Sequence, residues 1–226
     1  VMRIAVPAKT FVVGEYLVLK GGGALILSTA PFFELTAVPE GECKPEGAGT
    51  LVSEAIHPES PAGRLLEEAG ESFRDYQLWF LDPYQGMGGL GASSAQFLLL
   101  YALRQHLSRK KIEPFQLLEE YRSCAWNGKG MAPSGADLMA QWCGGLCFFH
   151  PSSRTLRSFS WPFAQLSYAL IHTRQKLATH RHLADLQEVV VSDLESFVQV
   201  ALAGIQEVDE ESLIGSVVGY GRALME

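Results

Sequence analysis

Short apolar stretches bounded by glycine and proline fill the first third of the chain, and longer apolar runs free of both fill much of the rest. Arg3–Pro7 and Thr10–Val13 read as short strands, with Tyr16–Leu19 as a further candidate beyond Gly14. The Gly21-Gly22-Gly23 run marks a turn into Ala24–Ser28, and Phe32–Val38 alternates with the period of a half-buried strand. Pro39–Gly49 carries two prolines and three glycines and reads as an exposed connection. Segment 59–76 is charged and reads as partly helical, Leu78–Leu81 as a strand, and 92–108 as a long helix. Pro114–Trp126 has the form of a helix opening on a first-turn proline. After the loop Asn127–Pro133, Ser134 is the expected N-cap of a helix to about Trp142. Gly145–His150 and Ser167–His172 read as strands, and the remainder as largely helical. Strands early and helices late imply α+β layering rather than regular βαβ alternation.

Composition narrows the function classes. The 226 residues are 47% hydrophobic and 19% charged, enough to bury a core as one large domain or two modest ones. A net charge of −7 argues against a nucleic-acid surface, which needs clustered Lys and Arg. Arg104, Arg109, Lys110 and Lys111 do cluster, but at the end of the long apolar helix, where cations suit the dipole. Cys43, Cys124, Cys143 and Cys147 lack metal-like spacing and read as reduced, buried thiols. No apolar run reaches membrane-spanning length and no secretory leader opens the chain, so the expectation is a cytoplasmic protein without membrane or nucleic-acid partners.

The most specific chemistry lies at Gly86-Met87-Gly88-Gly89-Leu90-Gly91-Ala92-Ser93-Ser94, directly before the long helix and just after a strand. Glycines allow close backbone approach to a ligand, and the unpaired amides of a helix start attract anions. Ser93 and Ser94 both sit where a hydroxyl could meet a phosphate oxygen or a metal ion. Taken by itself such a loop is as consistent with a tight helix–sheet turn. Two other segments raise its meaning: Pro7-Ala8-Lys9 leading to Gly14-Glu15-Tyr16, and Pro133-Ser134-Gly135-Ala136-Asp137 followed by Gly144-Gly145.

Together these segments resemble the GHMP kinases, named for galactokinase, homoserine kinase, mevalonate kinase and phosphomevalonate kinase. The similarity runs over roughly residues 1–185 and is nearest the phosphomevalonate and mevalonate kinase branch. It implies a two-domain fold: an ATP-binding domain over residues 1–160 like domain 2 of ribosomal protein S5, and a ferredoxin-like domain over 161–226, expected to be incomplete. The resemblance also implies ATP and Mg²⁺ as cofactors and phosphoryl transfer to a hydroxyl or phosphate of a small acid of isoprenoid biosynthesis, mevalonate or phosphomevalonate, with a homodimer as an allowed assembly. Lys9 then falls on the active-site lysine. Gly86, Gly88, Gly89, Leu90, Gly91, Ala92, Ser93 and Ser94 fall on the ATP loop, with either serine as the metal ligand. Asp137 falls on the aspartate that orients or deprotonates the acceptor. An aspartate beside a lysine is a weak base, which favours orientation with late proton acceptance. Glu15, Lys129, Ser134, Gly135, Thr179, His180 and Arg181 are candidate acceptor contacts. For Glu15 a turn-fixing role, and for Lys129 a solvated surface role, stand alongside.

The sequence departs from that pattern in three ways. Gly-Leu-Gly-Ala-Ser-Ser replaces the usual Gly-Leu-Gly-Ser-Ser-Ala, no acidic residue lies between Glu120 and Asp137, and the family's third glycine-rich motif is missing before Glu226. The rival expectations are therefore a degenerate, non-catalytic protein of this fold that binds nucleotide or metabolite, and, third, an enzyme like mevalonate diphosphate decarboxylase. His172, His180 and His182 lack the convergent spacing of a zinc site.

Overall fold

The computed structural model describes residues 1–171 and 191–225. Thr179, His180 and Arg181 lie outside the described residues, as do His172 and His182. The chain divides into two compact units, one of residues 1–10 and 28–144, the other of 11–27 and 145–226. This division differs from a single cut near residue 160, because two long strands, β1 (Met2–Val13) and β2 (Ala24–Pro39), each contribute one end to each unit.

In the first unit, β2 pairs antiparallel with β4 (Tyr76–Leu81), Glu34 opposite Leu81 and Pro39 opposite Tyr76. Short β3 (Thr50–Leu51) continues the order on the far side of β4. The helices of this unit are α1 (Val52–Ala55), beside β3 and β4, and α2 (Pro61–Ala69), α3 (Ala92–Leu107), α4 (Pro114–Ala125) and α5 (Ala136–Cys143), with α2 and α5 each packed on both α3 and α4. Phe33, Leu35, Ala37, Leu78 and Phe80 form one core with Phe97, Leu98, Leu99, Leu100 and Tyr101 of α3. Helix α3 is buried on most of its circumference, which is why its sequence is apolar without a clean stripe. Its end is tied by Arg104, which pairs with Glu120 of α4 and lies over the Tyr101 ring. Both helix-opening prolines behave as N-terminal residues: Ser60 caps α2 by accepting from the Gly63 amide, and Pro114 starts α4.

In the second unit, β2 pairs antiparallel with β5 (Leu146–His150), which pairs with β6 (Thr155–Phe159). Helices α6 (Val191–Glu207) and α7 (Glu210–Ala223) pack on each other, and Leu194, Val198, Ala201, Ile205 and Leu213 share a core with Leu25, Leu27, Leu146 and Phe148. Asp209 caps α7 by accepting from the Glu211 and Ser212 amides.

Several expectations are corrected. The two strand candidates at Arg3–Pro7 and Thr10–Val13 are one strand, as are those at Ala24–Ser28 and Phe32–Val38. Tyr16–Leu19 is no strand: Leu17–Lys20 forms a 3-10 turn closed by Gly21, whose φ of 93° is open to glycine at little strain. Ser167–Ile171 has no regular structure, and β6 was not anticipated. The antiparallel pairing excludes a doubly wound parallel sheet among the described residues. No described helix is long and apolar enough to cross a membrane.

Candidate functional site

Within the first unit, three elements converge. The first is the end of β1 that carries Lys9, which is 6% exposed although lysine is seldom buried without a partner. Its amide donates to Leu90 O at 3.2 Å, holding the glycine loop against the strand. Its Nζ lies 2.9 Å from Asp137 Oδ1, with the Asp137 side chain 39% exposed. A buried ammonium thus meets a carboxylate that still faces solvent.

The second element is the loop between β4 and α3. Asp82 anchors its start, Oδ1 accepting from the Tyr84 amide at 2.8 Å and Oδ2 from the Gly86 amide at 2.8 Å. Gly86, Gly89 and Gly91 then take φ values of 81°, 89° and 87°, a region side chains rarely adopt. A Cβ at Gly86 or Gly89 would meet nothing within 4 Å, so the loop's outer face is open. One at Gly91 would lie 2.9 Å from Gln141 Nε2 and 3.0 Å from Lys9 Cγ, so any side chain there would press on both at a φ that already favours glycine. Among the described residues, none accepts a hydrogen bond from the amides of Gly88, Gly89, Leu90 or Gly91. Helix α3 starts at Gly91 with no side-chain cap, so its first amides have no intrahelical partner either. This row of donors at a helix N-terminus is suited to an anion.

The two serines differ. Ser93 is exposed. Ser94 is buried, and its hydroxyl donates to Gln141 Oε1 at 2.7 Å with Gly91 O at 3.0 Å.

The third element is the turn into α5. Gly135, φ 76°, is the N-cap in place of Ser134, whose Oγ instead accepts from the Ala136 amide at 3.2 Å. Arg122 of α4 donates to Pro133 O at 3.3 Å and to Ser134 O at 3.1 Å, bracing the turn from behind. Asp137 sits in the first turn of α5, where a carboxylate suits the dipole. Tyr121 on α4 feels it: burial, helped by the Asp137 charge, pushes its phenol up to about 12.

Two further candidates have surroundings of their own. Lys129 is exposed in its loop, its amide donating to Asn127 Oδ1 at 3.0 Å and its carbonyl accepting from Trp126 Nε1 at 2.9 Å. Glu15 is exposed and belongs to the second unit, where its charge adds to burial in pushing the Tyr220 phenol up to about 12. Asp82, Arg122 and Gln141 were not singled out from sequence. Asp82 carried a readable signal, an Asx residue opening a Pro- and Gly-containing turn.

The donor set fits a polyphosphate: open amides, an exposed hydroxyl at Ser93 and an ammonium at Lys9. It fits magnesium only as an ion carried largely by phosphate and water, since no described group of three or more His, Cys, Asp or Glu residues could hold a metal.

No family model matches this chain, and no curated protein matches it by sequence. Solved structures do match. Phosphomevalonate kinase of Streptococcus pneumoniae, in complex with phosphomevalonate and AMPPNP, superposes with a TM-score of 0.71 at 13% identity over 100% of this chain and 80% of that one. Mevalonate kinase of Methanococcus jannaschii gives 0.66 at 11% identity over 99% and 78%. Homoserine kinase of Cytophaga hutchinsonii gives 0.60 at 14% identity over 95% and 71%. At such identities the likeness speaks for architecture: the chain has the α+β fold of the GHMP kinases.

Proposed function

We propose that this protein is a GHMP-type small-molecule kinase that uses ATP and Mg²⁺ to phosphorylate a small hydroxylated or phosphorylated acid, with mevalonate and phosphomevalonate as first candidates. The observation that carries the reading is the Lys9–Asp137 pair at 2.9 Å, held beside an open glycine loop at the start of α3. A buried lysine needs a partner, but packing alone does not require that partner to stay open to solvent beside a row of unpaired amides. The solved neighbour bound to phosphomevalonate and AMPPNP supports the substrate class by analogy of fold.

Phosphoryl transfer asks a protein for positioning and charge compensation more than covalent help. The amides of Gly88–Ser93 would hold the polyphosphate oxygens, and Lys9 Nζ would balance charge on the moving phosphoryl group. Ser93 rather than Ser94 would offer its hydroxyl to the metal, because Ser94 Oγ is buried and engaged with Gln141. Bound Mg²⁺ supplies neutralisation of the phosphate charge. Asp137, one oxygen tied to Lys9, would orient an acceptor hydroxyl and take its proton late, as the bond to the transferred phosphorus forms and the bridging bond breaks. With a phosphate acceptor there is no proton to take, and the pair only orients. Thr179, His180 and Arg181 remain proposed acceptor contacts on the strength of their motif position. The first unit carries the proposed ATP site, and the cytoplasm is the proposed location.

The test is an ADP-release assay with Mg-ATP and mevalonate, phosphomevalonate, homoserine and sugar acceptors, beside a calorimetric titration of Mg-ADP. Turnover on one acceptor is expected. Nucleotide binding without turnover on any would replace this reading with a non-catalytic one, and absence of both would remove the nucleotide site.

A further inference from the structure

We propose that Gln141 is the positioning residue of this site, a buried carboxamide that sets the glycine loop, Lys9 and Asp137 in one register. The inference rests on the kinase reading above.

Gln141 follows Asp137 by one helical turn on α5, so the two side chains share a face. It is 2% exposed. A carboxamide offers two N–H donors and one acceptor oxygen. Here Nε2 donates to Pro7 O at 2.9 Å and to Gly91 O at 3.1 Å, while Oε1 accepts from Ser94 Oγ at 2.7 Å. Both donors and the acceptor are used, and the reverse orientation would set Oε1 against two carbonyl oxygens. The network therefore fixes which way the amide points.

Each limb has a consequence. Pro7 precedes Lys9 by two residues on β1, so holding the Pro7 carbonyl holds the strand that presents the ammonium. Gly91 O also accepts from the Ala95 amide at 2.9 Å, so this carbonyl is drawn inward from several sides. Because the peptide unit is planar and trans, drawing the Gly91 carbonyl inward turns the Ala92 N–H the opposite way, outward into the row of donors. The Ser94 limb ties the first turn of α3 to α5. One side chain thus sets both the aim of the first helix amide and the distance from the loop to the carboxylate. A charged or shorter side chain cannot do this: glutamate has no donors, and asparagine lacks the reach.

The experiment compares wild type with Gln141→Met, which keeps the shape without the hydrogen bonds, and Gln141→Glu, which keeps only the acceptor. Peptide-level hydrogen exchange on the ligand-free protein should show peptides over 5–12 and 86–97 exchanging about 10-fold faster in Gln141→Met, with 191–223 unchanged. Mg-ADP affinity should weaken about 10-fold. kcat should fall about 100-fold, as expected for reacting groups displaced by about an ångström, while the acceptor KM stays within about threefold. Gln141→Glu should be no better than Gln141→Met. Uniform acceleration of exchange across the protein would reduce Gln141 to a general packing role and overturn the proposal, as would unchanged exchange with unchanged ADP affinity. Should Gln141→Met fail to fold, Ser94→Ala removes the Oε1 limb, together with the Ser94 Oγ–Gly91 O contact, and keeps both Nε2 bonds. Local acceleration in 86–97 with an ADP affinity between wild type and Gln141→Glu is then expected, and no local change would overturn the proposal. Wild-type inactivity on every acceptor would sink the kinase reading alone, because exchange and ADP binding still judge Gln141.

Discussion

Replacing either member of the Lys9–Asp137 pair should disable transfer, yet the two replacements should differ in stability, and the difference follows from burial. At 2.9 Å the bare attraction is about 6 kcal/mol at an effective dielectric of 20 and about 1.4 kcal/mol at that of water. Asp137 is 39% exposed, so the pair sits nearer the aqueous end, and desolvation of Lys9 offsets much of what remains. Removing the lysine charge with Lys9→Met leaves a carboxylate that water can reach, and the folded state should lose less than about 1 kcal/mol. Asp137→Asn instead takes the negative charge from beside an ammonium only 7% exposed, which should cost about 1–3 kcal/mol. The variants should converge in catalysis. Lys9→Met removes charge compensation and Asp137→Asn removes the group that orients the acceptor and takes its proton, so in each kcat should fall by about 10³-fold or more, with Mg-ADP affinity within about 10-fold of wild type. Urea denaturation followed by circular dichroism gives the stability difference, and coupled ADP release gives the rates. If Lys9→Met were the more destabilised by over about 1 kcal/mol, the burial argument would fail. Wild-type turnover in either variant would refute the assigned roles.

Other expectations test neighbouring parts of the site. Gly91→Ala places a Cβ 2.9 Å from Gln141 Nε2 at a φ of 87°, and should destabilise by about 1–2 kcal/mol on a thermal melt while weakening Mg-ADP binding in calorimetry. Ser93→Ala should lower turnover and shift its Mg²⁺ dependence to higher concentration at unchanged melting temperature, whereas Ser94→Ala should cost about 1 kcal/mol of stability by removing a buried hydrogen bond. Arg122→Met frees the Pro133 and Ser134 carbonyls and should lower kcat about 10-fold through a looser Asp137, read from initial rates at saturating substrates. Tyr121 gives an alkaline signature. Its phenol, held up to about 12 in the fold, starts from an ordinary value of 10.0, so the unfolded chain loses this proton first. Its stabilising contribution is complete below pH 10 and declines as pH rises toward 12, by about 2–3 kcal/mol in denaturant titrations; Tyr121→Phe should remove that share.

How much of this was legible before the structure depended on what constrains each residue. The N-terminal boundaries of α3 and α4 were readable because glycine and proline act locally, as the turns at Gly91 and Pro114 show. Strand continuity was not: Pro7 and Pro31 interrupt the pattern, yet β1 and β2 run through both, β1 paired with β2 and β2 in turn with β4 and β5, partners that a short local window does not contain. Leu17–Lys20 looked like a strand because its apolar side chains, Leu17 and Val18, are buried, and burial alone does not separate a strand from a short 3-10 turn. Ser134 was expected as the N-cap because its residue type favours that role, but the left-handed Gly135 displaces the helix start by one position.

The site divides in the same way, and the division has a chemical basis. The proposed phosphoryl transfer restricts residue types severely: an ammonium, a carboxylate and bare amides have few substitutes, so Lys9, Asp137 and the glycine loop stand out as a spaced pattern. Aiming those groups restricts geometry instead of type. Asp82, Arg122 and Gln141 serve through hydrogen bonds that another polar residue of suitable reach could make from another position, so no spacing rule finds them. Gln141 still left a trace, a lone amide inside the otherwise apolar Leu138-Met139-Ala140-Gln141-Trp142 run, one turn beyond the aspartate. A buried helix face tolerates an unpartnered amide poorly, since leaving its polar atoms unsatisfied costs about 1–3 kcal/mol each. An isolated Gln or Asn one turn from a candidate catalytic residue on a buried face therefore marks where a second segment's carbonyls must lie, and here they belong to Pro7 and Gly91.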